Sequence, residues 1–123
     1  MRLVAKDFPL PSHRQARPAA EAARCAAAQG RYWPYRERLF AEQSRFTEDR
    51  LIAYAEELGL DREGFTRCLT ERRFAGAVEA DVAKARALGI RSTPTFLING
   101  RAVVGNQPVT AFRSIIEELL GRK

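Results

Sequence analysis

Histidine, cysteine and tryptophan are scarce in this sequence of 123 residues, which has one His, two Cys and one Trp. A transition-metal site needs several His, Cys or carboxylate ligands at ligand spacing. The lone histidine, His13, has none of these partners beside it, so we expect it to be a loop residue. The sequence therefore predicts no metal site and no metal cofactor.

Long apolar runs are also missing. No segment approaches the roughly 18 apolar residues that a membrane span requires, and the first seven residues contain no apolar core of a signal peptide. The sequence thus predicts no membrane span and, as written, no export signal. A hydrophobic content of 46% in 123 residues suits one core, which predicts a single domain over residues 1–123.

Blocks of like charge are absent although the formal net charge is +6. The 21 basic residues, only three of them lysine, are interspersed with 15 acidic ones. Nucleic-acid binding usually comes with a basic run or patch. We therefore interpret the charge as a solvated surface, including the Arg72-Arg73 pair, and predict no nucleic-acid partner.

Residues 91–104 contain the most informative pattern. Pro94 opens a β-branched and aromatic run, a place where a strand tolerates proline because no ladder donor is needed there. Asn99-Gly100 is typical of a type I′ turn, and Ala102-Val103-Val104 supplies a second apolar run. This pattern predicts a β-hairpin.

Elsewhere, cap and turn residues predict helices. Helices are expected to begin at or beside Pro18, Trp33, Thr47, Asp61 and Pro108. Glycines are expected to end three of them, at Gly30, Gly59 and Gly89. A strand is predicted at Leu3-Val4-Ala5, and it is expected to be short because Pro9 and Pro11 prevent it from continuing.

Apolar spacing predicts which helix faces are buried. The final helix should bury Phe112, Ile115, Ile116 and Leu119, and the preceding long helix Phe74, Val78, Val82, Ala85 and Leu88. Trp33, Leu39 and Phe40 are predicted to be core residues. An alternative is that Tyr32, Trp33 and Tyr35 form a ligand platform.

Five motifs occur in an order that carries a family resemblance. They are Lys6 to Leu10 (KDFPL), Ala20 to Cys25 (AEAARC), Gln29 to Trp33 (QGRYW), Leu39-Phe40 and Gly89 to Phe96 (GIRSTPTF). Together they resemble the DsbA-like thiol-disulfide oxidoreductases. The resemblance implies an α/β, thioredoxin-like fold, N-terminally truncated, with an α-helical insertion and a cis-proline β-hairpin. It also implies that the Thr93-Pro94 bond is cis.

The resemblance also divides the chain into segments. Residues 1–10 would form the first strand and turn, and about 18–75 the helical insertion. Residues of about 76–123 would form the linking helix, the cis-proline hairpin and the C-terminal helix. Members of the family are usually extracytoplasmic, in the periplasm or cell envelope, although this sequence itself leaves its compartment unknown.

In function, the resemblance implies oxidation or isomerisation of protein disulfides through a mixed disulfide, with no cofactor. Protein or peptide thiols and disulfides would be the partners. Ser92, Thr93 and Pro94 would bind substrate, since in the family the loop offers its backbone to an extended peptide. The family's catalytic Cys-x-x-Cys is missing from this sequence, so no catalytic residue can be assigned and enzyme activity stays open.

The two cysteines, Cys25 and Cys68, are too far apart for that motif, and neither falls at a predicted helix start, where a reactive thiolate is favoured. Three interpretations remain open. They are separate core thiols, a structural disulfide between two helices of the insertion, or a redox pair that replaces the missing motif.

The missing segment has a structural implication. The family places its absent strand between Leu3–Ala5 and Thr95–Ile98, so two unpaired sheet edges are expected, which would favour a homodimer or aggregation. We also expect that the sequence is truncated or that its start at Met1 is wrongly assigned. Two functions are therefore predicted: a redox-inactive fragment of an oxidoreductase or, alternatively, a non-catalytic module that binds a peptide or partner chain.

Overall fold

The computed structural model describes residues 2–9, 15–42, 46–105 and 107–121. Its elements are α1 (Ala16–Ala28), α2 (Tyr32–Glu42), α3 (Glu48–Glu57), α4 (Arg62–Thr70), α5 (Ala75–Ala87), β1 (Thr95–Ile98), β2 (Arg101–Val104) and α6 (Val109–Leu119). His13, Leu10 and Pro11 lie outside the described residues. The chain divides into two compact units, Met1–Lys84 and Ala85–Lys123. The single domain over 1–123 stays a prediction.

The first unit has a core built by α1 to α4. Tyr35, Leu51 and Phe65 are almost completely buried there, and small alanines of α1 let the helices approach. The Tyr35 and Phe65 rings pack with their centroids 5.5 Å apart. Because these residues come from three different helices, their burial holds the bundle together.

The predicted helix caps are confirmed. The Thr47 side chain accepts a hydrogen bond from the backbone N–H of Arg50, and the Asp61 carboxylate accepts one from that of Gly64. These bonds satisfy backbone donors that the first turn of a helix leaves unpaired. Gly59 follows α3 with φ of +75°, a conformation that side chains with a Cβ rarely adopt.

The predicted strand at Leu3-Val4-Ala5 is not formed. Residues 2–9 contain no strand, and Leu3 and Val4 are 72% and 52% exposed. A strand requires a neighbour that pairs with its N–H and C=O groups, and none of the described residues provides one here. The segment is instead attached at Asp7, whose backbone N–H donates to the Asp81 carboxylate over 2.9 Å.

The prediction that Trp33 and Phe40 are core residues is wrong. Tyr35 and Leu39, four residues apart, share the inward face of α2. Trp33 and Phe40, seven residues apart, lie on the opposite face and are 44% and 60% exposed. Of the three predicted core residues, Leu39 therefore packs inward, whereas Trp33 and Phe40 form an exposed aromatic surface.

The second unit contains the predicted hairpin. β1 and β2 pair antiparallel, with Ile98 opposite Arg101. Asn99 and Gly100 between them have φ of +48° and +86°, as a type I′ turn requires. The hairpin prediction is therefore confirmed.

The helices flanking the hairpin are less buried than predicted. None of the α6 residues is fully buried, and Leu119 is 39% exposed. The Phe112 ring contacts Phe96 edge-on, with centroids 4.8 Å apart. Two strands of four residues each can cover only part of a helix face. In α5, Val78 and Val82 are buried as predicted, whereas Leu88, just after its end, is 60% exposed.

Candidate functional site

The cis-proline loop is the first part of the candidate site. The Thr93–Pro94 bond is cis, as the resemblance implied, and residues 91–94 are exposed. The Thr95 hydroxyl donates to the Ser92 carbonyl over 2.7 Å, which closes the loop immediately before β1. Among the described residues, no backbone hydrogen bond involves Thr93. The main chain of Thr93 is therefore available to another chain.

The outer edge of β1 continues this surface. In an antiparallel pair, the main-chain N–H and C=O groups of successive residues point alternately toward the partner strand and away from it. The Gly105 N–H donates to the Pro94 carbonyl over 2.8 Å, which fixes the phase of this alternation. The main-chain groups of Thr95 and Leu97 consequently point away from β2.

The outer edge of β2 differs. The Val104 carbonyl, which points away from β1, accepts a hydrogen bond of 3.0 Å from the side-chain amide of Gln107. A strand that added along β2 would have to displace this amide. Within the described ranges, no side chain donates to or accepts from the outward main-chain groups of Thr95 and Leu97, so β1 is the more accessible edge there.

The cysteines form a disulfide between α1 and α4. The Cys25 and Cys68 Cα atoms are 5.9 Å apart, and the residues are only 2% and 6% exposed. Each cysteine lies in the last turn of its helix, where the partial negative charge of the helix end disfavours a thiolate. Of the three interpretations left open by the sequence, the structure contains the disulfide.

Arg24 joins two carboxylates near the amino-terminal segment. Its Nε donates to Asp7 over 2.6 Å and its Nη2 to Asp81 over 2.7 Å. Burial raises the pKa of the Asp7 carboxyl above its ordinary value of 3.8, although Arg24 acts in the opposite direction. One guanidinium thus serves two partly buried carboxylates, and the cluster fixes residues 2–9 to α1 and α5.

A groove of about 420 Å³ opens in the first unit between α1, α3 and α4. Leu51 and Leu69 form part of its wall, and Glu21 and Arg72 form an ion pair along it. Arg72 was predicted to face solvent. Its side chain is 59% exposed, yet it binds a carboxylate that is almost fully buried.

Some kinds of site are not formed by the described part of the chain. In residues 2–9, 15–42, 46–105 and 107–121, no group of three or more His, Cys, Asp or Glu side chains could hold a metal ion. Over the same ranges, none of the helices has the length and apolar character needed to cross a membrane.

A helical segment, a cis-proline bond, a β-hairpin with a two-residue turn and a final helix follow one another in the order expected of a thioredoxin-like fold. A family model described as Thioredoxin matches residues 1–118. The chain therefore belongs to the thioredoxin family, which confirms the predicted fold.

The relatives of this chain are similar to it over a short part of their length. A protein of Herminiimonas arsenicoxydans named Na(+)/H(+) antiporter NhaA is 38% identical over 88% of this chain, which is 17% of that protein. Salinispora tropica has a protein named Na(+)/H(+) antiporter NhaA 3, and Nitrosospira multiformis one named Na(+)/H(+) antiporter NhaA, at 38% and 35% identity over 94% and 98% of this chain. The chain spans less than a fifth of these relatives' length. No solved structure matches it.

The residues singled out in the sequence fall into different units. Ser92, Thr93 and Pro94 belong to the hairpin unit, whereas Cys25 and Cys68 belong to the helical unit. The Glu21–Arg72 pair was not predicted from the sequence, where a charge in the alanine-rich, buried face of α1 is its only signal. The role of Gln107 was not predicted either, because the sequence holds no signal for it.

Proposed function

We propose that this chain is a thioredoxin-fold binding module that holds an extended polypeptide segment at the cis-proline loop and along β1. The observation that carries the proposal is the exposed main chain of Thr93 beside the outward main-chain groups of Thr95 and Leu97. An extended peptide that adds to such an edge gains affinity from main-chain hydrogen bonds, which tolerate many sequences.

The side chains of β1 favour a peptide with apolar residues. Phe96 and Leu97 are 39% and 49% exposed, so each face of the strand presents one large apolar side chain. No charged residue lies within β1. An incoming strand would therefore bury apolar side chains on both faces, as well as pairing its backbone.

In this proposal Cys25 and Cys68 do not take part in thiol-disulfide exchange with other proteins. Exchange requires a thiolate that can reach an outside sulfur atom. Cys25 and Cys68 are buried, bonded to each other, and located at helix ends that disfavour a thiolate. Their disulfide is consistent with a structural role.

Binding can be tested with fluorescein-labelled, reduced and carboxymethylated α-lactalbumin, which is permanently unfolded and has no free thiol. Leu97→Pro removes an N–H that points away from β2, and we expect it to weaken binding about five- to tenfold. Leu97→Ala is the matched control, because it shortens the side chain and keeps the N–H. Equal affinity in the proline and alanine variants would contradict the proposal.

Two further measurements complete this test. An insulin-reduction assay should show no turnover above the background, and Cys25→Ser with Cys68→Ser should leave this result unchanged. Cysteine-dependent turnover would favour the oxidoreductase function instead. Sedimentation of the free chain tests the homodimer that an exposed strand edge favours. A monomer would support a peptide as the occupant of β1, whereas a dimer that dissociates on addition of the unfolded protein would identify a second copy.

A second candidate function rests on the relatives. Because proteins named Na(+)/H(+) antiporter are 35% to 38% identical to nearly the whole of this chain, we propose that the module functions within or beside such a transporter. Pull-down of an epitope-tagged chain under native expression should recover an antiporter polypeptide, or a single polypeptide that contains this chain and an antiporter. Recovery of neither would contradict this candidate.

The disulfide also supports a proposal about location. Structural disulfides persist mainly in oxidising compartments, so we propose that this module resides outside the cytoplasm. When cells are lysed directly into denaturant that contains a maleimide reagent, Cys25 and Cys68 should stay unmodified unless a reductant is added. Modification of both without a reductant would place the chain in a reducing compartment.

A further inference from the structure

The exposed face of α2 carries an aromatic stripe, which we define as Trp33, Arg36 and Phe40. The two rings are separated by seven residues, which is about two helical turns and about 10 Å along the axis. Trp33 is 44% exposed and Phe40 is 60% exposed. The stripe belongs to the first unit and has no part in the peptide site proposed above.

Arg36 organises the stripe. Its guanidinium carbon lies 5.5 Å from the centroid of the Trp33 ring and 4.5 Å from that of Phe40, so the cation contacts both rings. No ion pair is formed by Arg36 with a carboxylate among the described residues. The Tyr32 ring supports Trp33 edge-on at 5.0 Å. A charge without a carboxylate partner is thus held between two exposed rings.

The size of the stripe argues against a protein partner. A stable protein interface removes roughly 800 Å² of surface from each side. The stripe is one residue wide, with the exposed Arg31 before it in sequence and the exposed Glu37 beside it on α2. Two rings can, by contrast, enter the headgroup region of a bilayer without a large flat surface, as Trp and Tyr do at membrane interfaces.

Charge argues for an anionic surface and against a second copy. The chain carries a net charge of +6, so two copies repel each other at long range, whereas an anionic bilayer attracts the chain. Helices that lie on membrane surfaces combine exposed Trp or Phe with basic side chains. Charge and composition therefore favour the same occupant.

We propose that the aromatic stripe docks this domain on the surface of an anionic lipid bilayer. Trp33 and Phe40 enter the headgroup region, and Arg36 pairs with lipid phosphates. Glu37, four residues after Trp33, borders the stripe and opposes this attraction. The contact is peripheral, because the rings reach only the interface.

The experiment uses the full 123-residue chain and sucrose-loaded vesicles, either of phosphatidylcholine alone or with phosphatidylglycerol as about one third of the lipid. Since Trp33 is the single tryptophan, its fluorescence reports on the stripe without labelling. With the anionic vesicles we expect cosedimentation, a blue shift of the Trp33 emission and protection from acrylamide quenching. With the neutral vesicles binding should be weaker.

Variants separate the stripe from general charge. Phe40→Ser should weaken binding about tenfold, Arg36→Gln about fivefold, and Glu37→Gln should strengthen it. Arg113→Gln is the matched control, because it removes the same charge from an exposed position on α6. Phe40 is largely exposed, so the serine variant should keep the circular dichroism spectrum of the parent.

Three results would overturn the proposal. The first is a lack of binding to the anionic vesicles. The second is binding without a change in Trp33 emission, or binding that Phe40→Ser and Arg113→Gln weaken equally, because net charge alone would then explain it. The third is loss of Trp33 exposure through self-association at the same protein concentration without lipid, which would assign the stripe to a second copy.

Discussion

Arg72 donates hydrogen bonds from Nε and Nη2 to the two carboxylate oxygens of Glu21, over 3.3 and 2.9 Å. The pair joins the middle of α1 to the turn after α4 across 51 residues of sequence. Glu21 is 4% exposed and is the one buried charged residue among those described. Arg72 adopts φ of +51°, so its backbone as well as its side chain is specialised for this contact.

Arg72→Ala should lower the midpoint of thermal unfolding more than Arg72→Gly does. Both variants leave the Glu21 carboxylate buried without its partner, which is costly. Alanine also keeps a Cβ in the left-handed region, which glycine tolerates better. Adding Glu21→Gln to Arg72→Ala should recover part of the loss. Equal midpoints for the alanine and glycine variants, or no recovery in the double variant, would contradict this account.

The pKa of the Asp7 carboxyl, raised by burial, predicts how stability depends on pH. In the folded chain Asp7 binds its proton at a higher pH than in the unfolded chain. Its charge therefore costs stability at neutral pH, and this cost disappears as the pH falls through the folded pKa towards the ordinary value of 3.8.

Urea unfolding between pH 7 and pH 4 can measure this effect when the parent is compared with Asp7→Asn. On acidification, the free energy of unfolding of the parent should improve relative to that of the asparagine variant. Arg113→Gln, which changes a charge outside the cluster, should follow the parent at every pH. If the difference in free energy of unfolding between the parent and Asp7→Asn stays constant with pH, or shifts in favour of the asparagine variant at low pH, the raised pKa of Asp7 is refuted.

The disulfide should contribute substantially to stability. Cys25 and Cys68 are separated by 43 residues, and closing a loop of this size restricts the unfolded chain. Reduction, or Cys25→Ala combined with Cys68→Ala, should lower the free energy of unfolding by about 2–4 kcal/mol. The double alanine variant must not respond to dithiothreitol, and an unchanged stability on reduction would show that the bond is not formed in solution.

Tyr35 should be a main packing residue of the helical unit, because it is completely buried and its hydroxyl donates to the Leu51 carbonyl over 2.9 Å. Tyr35→Phe removes only the hydrogen bond and should cost about 1 kcal/mol. Tyr35→Ala also leaves a cavity and should cost about 3–5 kcal/mol. Chemical denaturation measures both, and similar losses in the two variants would mean that the ring contributes little.

The sequence was a good guide wherever the determining interactions are local. Thr47 and Asp61 cap their helices through bonds to residues three positions away. Asn99-Gly100 determines its turn through its own backbone preferences. In the candidate site, Ser92, Thr93 and Pro94 were found through their motif and lie in the exposed loop, although their role stays a prediction.

Features that depend on distant partners could not be predicted in this way. Leu3-Val4-Ala5 has the composition of a strand, but pairing requires a neighbour that composition does not specify. On α2, the apolar residues Trp33, Tyr35 and Phe40 occupy both faces, so spacing alone did not show which face points inward. Packing against Leu51 and Phe65 decides this in favour of Tyr35.

The bond between Cys25 and Cys68 closes a covalent ring that contains the whole of α2 and α3. A protease that cleaves one peptide bond within this ring opens it without separating the fragments. The two pieces would migrate together on a gel until a reductant is added, and the packed helices could remain associated after the cut. In this unit, continuity of the backbone and integrity of the molecule are therefore separate properties.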